Sequence, residues 1–111
     1  MNNLKEYILE KFKISKDIKF EGQIEKIKEA VEKYFDDNFS EEIYSKIYFV
    51  DSNFNNTNKI ENVIYISVVC YKDVTDNIAN DLFDIINKIY PLGDYEISIN
   101  HTKIINFYPK D

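Results

Sequence analysis

Few side chains in this chain could do covalent or acid–base chemistry. There is one histidine, His101, one cysteine, Cys70, and twenty aspartates and glutamates. A thiol beside an imidazole can act as a nucleophile, commonly with a third group orienting the ring; a pairing of Cys70 with His101 stays open, but no orienting acid is indicated and no known spacing fits. Cys70 shares strand parity with Ile64, Ile66 and Val68, which predicts a buried, inert thiol. His101 falls at a strand end or turn. The chain has no glycine-rich phosphate loop and no CxxC, HExxH or GxSxG motif. A hydrolase built on carboxylates alone needs just two acids, but nothing in the sequence selects a pair. The expectation is a protein that is not an enzyme, with no catalytic residue, cofactor or metal.

Asp51, Asn53 and Asn55 stand at positions 1, 3 and 5 of a calcium-loop pattern. Asn56 replaces the glycine expected at position 6, and Asn62 replaces the bidentate glutamate at position 12. The segment therefore reads as an asparagine-rich hairpin tip. Phe54 at its middle is an apolar ring on a polar loop, placed either to fold back or to anchor a partner.

Charge is the informative chemistry. The net charge is −6, and all fourteen cationic side chains are lysine. Arginine, the residue that forks onto phosphate and stacks on bases, is absent. Residues 21–42 carry −5 and residues 73–111 carry −4, whereas residues 1–20 carry +2 and 43–72 carry +1. Glu21, Glu25, Glu29, Glu32 and Asp36 recur at helical spacing on one face, spanning about 22 Å at the helical rise. The alternative is a plain solvated face, with Lys28 and Lys33 pairing to Glu25 and Glu29. Asp81 and Asp84, with Asp73 and Asp76 before them, form a second acidic set. Tyr44, Tyr48, Tyr65 and Tyr71 could stack bases on an open sheet, but nucleic-acid sheets surround such rings with basic residues. Tyrosine-rich faces also suit protein interfaces.

These groups must be positioned by a fold, and the periodicity predicts one single α+β domain over residues 1–111. Leu4, Ile8 and Phe12 predict a helix over 3–13, followed by a break from Ser15 to Lys19. Ile24, Ile27, Val31, Tyr34 and Phe35 predict a helix over 22–38. Alternation predicts strands over 43–51 and 60–71. Thr75 as N-cap, with Ile78, Leu82, Ile85, Ile86 and Ile89, predicts a helix over 75–90. Strands over 95–100 and 103–108 follow. The order α-α-β-β-α-β-β predicts a two-layer sandwich with helices on one face of a small mixed sheet and the other face open.

The start carries no basic region followed by an apolar run, and no stretch reaches the roughly 20 apolar residues of a membrane span. A lone cysteine suits a reducing compartment. A cytoplasmic protein without membrane contact is expected. The bias toward Ile, Asn and Lys suggests an AT-rich bacterial, phage or mobile-element gene.

Together these features point to a small acidic inhibitor that covers a basic site on another protein and does not bind nucleic acid directly. Immunity proteins that neutralise nuclease toxins, and phage-borne anti-defence proteins of the anti-CRISPR type, act in that way. The comparison is one of class, not of descent. The residues expected to meet the partner are Glu21, Glu25, Glu29, Glu32, Asp36, Tyr48, Phe54, Asp81 and Asp84. The second expectation is an assembly module that homodimerises through its sheet.

Overall fold

A computed structural model describes the backbone of residues 9–110 and the side chains of residues 22–110. The first helix, α1, spans Leu9–Asn38. It runs through the expected break at Ser15 to Lys19, because the segment holds neither proline nor glycine and polar helix residues such as Ser15 and Asp17 only weaken a helix. The part of the expected first helix before Leu9 lies outside the described residues.

Strand β1, Tyr44–Asp51, leads through a 3₁₀ turn at Ile60–Asn62 into β2, Val63–Cys70. Helix α2, Asp76–Asn87, starts at Thr75, whose hydroxyl accepts the Ile78 N–H at 3.3 Å. It ends three residues before the expected end, and the Asn87 side chain accepts the Leu92 N–H at 2.8 Å. That bond leads the chain into β3, Leu92–Ile97, so the strand begins three residues before its expected start at residue 95. Strand β4 is Ile104–Pro109.

The sheet order is β1-β2-β4-β3 and every neighbouring pair is antiparallel. The sheet is therefore not mixed. β2 and β3 run in the same direction, as a crossover through α2 requires, but β4 lies between them. Both helices cover one face. Ile24, Ile27, Val31 and Phe35 from α1, and Ile78, Ala79, Leu82 and Ile86 from α2, meet Ile66, Val68, Ile105 and Phe107 from the central strands. Burial of this kind contributes about 1.5–3 kcal/mol per large apolar side chain. The other sheet face carries Tyr48, Tyr65 and Tyr108 with no described element over it.

Two irregularities reset the strand faces. The register moves from Tyr44↔Cys70 to Lys46↔Val69, so Ser45 is an extra residue in β1. Tyr44 thereby turns to the helix side, where it stacks on Phe35 at 5.4 Å, and leaves the open face that strict alternation assigns it with Tyr48. A second shift, between Val50↔Tyr65 and Asp51↔Val63, makes Ile64 the extra residue of β2. Ile64 is accordingly exposed and does not share the buried parity of Cys70. Among the described residues no helix is long and apolar enough to cross a membrane.

Candidate functional site

The end of α1 and the start of β1 flank an open cavity of about 790 Å³. Phe35, Phe39 and Tyr44 give it an aromatic wall, and Glu32, Asp36, Glu41 and Glu42 line it with carboxylates. The bulge at Ser45 builds this wall by turning Tyr44 inward. Phe35 and Phe39 lie 5.8 Å apart, and Phe35 is almost parallel to Tyr44, at 11°. Burial, and then the charge of Glu32, push the Tyr44 hydroxyl up to about 12.

The helix field deepens the negative potential here. Asp36 lies near the C-terminal end of α1, where the macrodipole is already negative and the last turn has no basic residue. Such a carboxylate costs the helix about 0.3–1 kcal/mol. Lys33 pairs with Asp37 at 2.8 Å and not with Glu29 as the solvated-face reading expects. Lys72 pairs with Glu41. Among the described residues neither ion pair involves Glu25, Glu29, Glu32 or Asp36.

The two acidic sets do not merge. Tyr34 donates to the Asp81 carboxylate at 2.8 Å, which places α2 against the Tyr34 side of α1. Each helix residue turns about 100°, so Glu32 and Asp36 lie about 200° round from Tyr34. They flank the β1 edge, on the far side of α1 from α2. Asp81 is occupied in joining the helices, and Asp84 is exposed on α2. Glu25 and Glu29 are exposed on α1 and extend the acid away from the cavity. Glu21 belongs to α1, and its side chain lies outside the described residues.

Tyr48 sits on the open face with the Lys46 ammonium 5.5 Å from its ring centre. It also lines a second cavity of about 430 Å³ with Lys28, Ile47, Phe49, Asn56, Thr57 and Asn58. Phe54 projects from the β1–β2 loop, 73% exposed and with φ 62, a backbone conformation that bulky residues rarely adopt. The loop is nonetheless ordered by its own bonds. Asp51 Oδ1 accepts the N–H groups of Asn53 and Asn55 at 2.9 and 3.1 Å, and the Asp51 carbonyl accepts that of Phe54 at 2.8 Å.

Cys70 is buried, and burial raises its thiol to about 11. The His101 side chain is exposed in the β3–β4 turn. Sequence reasoning missed Phe35, Phe39, Tyr44, Glu41 and Glu42 as a group. The one available signal was the acidic pair Glu41-Glu42, which follows the end of the helix at Asn38 after Phe39 and Ser40. No family model, no curated protein and no solved structure matches the chain.

Proposed function

We propose that the protein is a non-enzymatic inhibitor that binds a basic, nucleic-acid-handling protein and blocks its cationic surface, in the manner of immunity or phage anti-defence proteins. The observation that carries this reading is the gathering of Glu32, Asp36, Glu41 and Glu42 around one aromatic-walled cavity at the negative end of α1. Carboxylates beside aromatic faces favour lysine and arginine side chains, through charge and through cation–π attraction. The net charge of −6 repels polyanions and speeds encounter with cations. Glu25 and Glu29 extend the attractive surface, and Phe54 and Tyr48 offer apolar contact farther along β1.

The test is a pull-down with the tagged protein at low and high salt, with a Glu32→Lys, Asp36→Lys variant in parallel. The expected result is a basic nucleic-acid-handling protein that is retained at low salt, reduced at high salt and lost with the variant. Equal retention by the variant sinks the reading. The face with Tyr48, Tyr65 and Tyr108, which no described element covers, favours a second reading, homodimerisation through the sheet. Elution at twice the chain mass, unchanged by salt, supports that one.

A further inference from the structure

Strand β1 is an edge of the sheet, and among the described residues no strand lies beside the outer side of its backbone. A loop of the chain itself already pairs with part of this edge through one isolated bridge. Residues 55–57 fold back along its far end, with Val50 bridged antiparallel to Asn56. Thr57 N–H donates to the Phe49 carbonyl and Asp51 N–H to the Asn55 carbonyl, both at 3.0 Å. The Phe49 carbonyl therefore points away from β2. By the alternation of an antiparallel ladder, so do the N–H and C=O of Ile47, and neither has a hydrogen-bond partner among the described residues. The pairing stops at Phe49, and the edge from Ser45 to Ile47 is left open.

Open space follows that edge. The two cavities lie between α1 and β1, one at Tyr44 and Ser45, the other at Ile47 to Phe49. The flank of α1 that carries Glu32 and Asp36 lines the first, and Lys28 lines the second, so the acid lies at the Tyr44–Ser45 end of the edge. We infer that β1 takes a fifth strand: an extended segment of the partner, with basic and apolar residues alternating. This inference rests on the reading of a basic partner and names how that partner binds. Alternate side chains of such a segment would turn toward the helix layer and meet Glu32 and Asp36. The others would lie beside Tyr48 on the open face, where apolar groups fit. Main-chain bonds to Ile47 supply the register. A second copy of β1 fits poorly, because edge pairing would bring two sets of these carboxylates together.

The experiment uses the full chain with a short peptide of alternating lysine and valine. Two further peptides carry N-methyl groups on one or the other set of alternate backbone nitrogens. Binding is followed by amide NMR. The expected result is that the parent peptide binds and slows hydrogen exchange at Ile47 at least about tenfold. One N-methylated peptide should lose at least about tenfold in affinity while the other is tolerated, because only one set of nitrogens faces the edge. Glu32→Gln with Asp36→Asn should weaken the parent peptide by a similar factor. Equal binding of both methylated peptides overturns strand addition and leaves charge-led binding of a basic partner intact. No binding up to about 1 mM, or equal binding of an alternating glutamate–valine peptide, also overturns it. Failure of the unmutated protein to retain any basic partner at low salt, or equal retention by the Glu32→Lys, Asp36→Lys variant, strikes the broader reading instead.

Discussion

The Tyr34 hydroxyl donates to the Asp81 carboxylate at 2.8 Å across 47 residues of sequence, and this bond joins the two helices that cover the sheet. Burial first, and then the bond to Asp81, raise the Tyr34 pKa well above the ordinary tyrosine range. A hydrogen bond to a charged group contributes about 1.5–3 kcal/mol when well shielded. Asp81 is exposed, so about 1 kcal/mol is the reasonable figure here. Tyr34→Phe should therefore lower the melting temperature by roughly 4–8 °C. Partner affinity should not change, because Asp81 faces away from the cavity. A thermal melt and a binding titration on the same sample check both halves.

Charge reversal should rank the acidic residues by position. Glu32→Lys with Asp36→Lys acts inside the cavity, next to the aromatic wall, and should weaken partner binding at least tenfold, about 1.4 kcal/mol. Glu25→Lys with Glu29→Lys acts farther along α1 and should weaken it less. Neither pair should unfold the protein, since all four side chains are exposed. Asp36→Lys should even favour the helix, by placing a cation at its C-terminal end. Affinity measured at two salt concentrations tests the ranking. Equal losses from the two pairs would mean that the cavity has no special part in recognition.

Much of the fold could be read from the chain because the apolar periods are clean. Ile24, Ile27, Val31 and Phe35 mark the buried side of α1, and Thr75 caps α2 as its sequence position implies. The four strands were legible from alternation. The strand order was not, because placing β4 between β2 and β3 depends on packing and leaves no local mark. The cavity was hidden for a related reason. It depends on the extra residue Ser45, and no glycine announces that bulge. Without the bulge, Tyr44 belongs to the open face and the aromatic wall is incomplete. The acidic stripe was readable residue by residue, but its separation from Asp81 depends on which flank of α1 faces α2.

Tyr44 makes the cavity sensitive to alkali. Its folded-state pKa is about 12 against an ordinary 10.0. Between those values the unfolded chain releases a proton that the folded chain keeps. The stabilisation is therefore fully present below pH 10 and is lost as pH rises toward 12. Tyr44→Phe removes this contribution and should flatten the fall in stability over that window. Denaturant midpoints for both proteins across the alkaline range, together with tyrosinate absorbance, provide the check. An identical slope in the variant would show that Tyr44 titrates as a solvated tyrosine.

Phe54 separates binding from folding. Its φ of 62 costs a non-glycine residue roughly 1–2 kcal/mol. Glycine escapes that cost but brings about 0.5–1 kcal/mol of additional freedom to the unfolded chain. Phe54→Gly should thus fold with stability within about 1 kcal/mol of the parent. The loop should keep its shape, because Asp51 and not the ring holds it. If the exposed ring anchors the partner, affinity should fall at least tenfold with no loss of fold. Asp51→Ala is the complementary variant. It removes the acceptor for two backbone N–H groups and should lower both stability and affinity. Unchanged affinity in Phe54→Gly would confine recognition to the acidic end of β1, about 23 Å away along the strand.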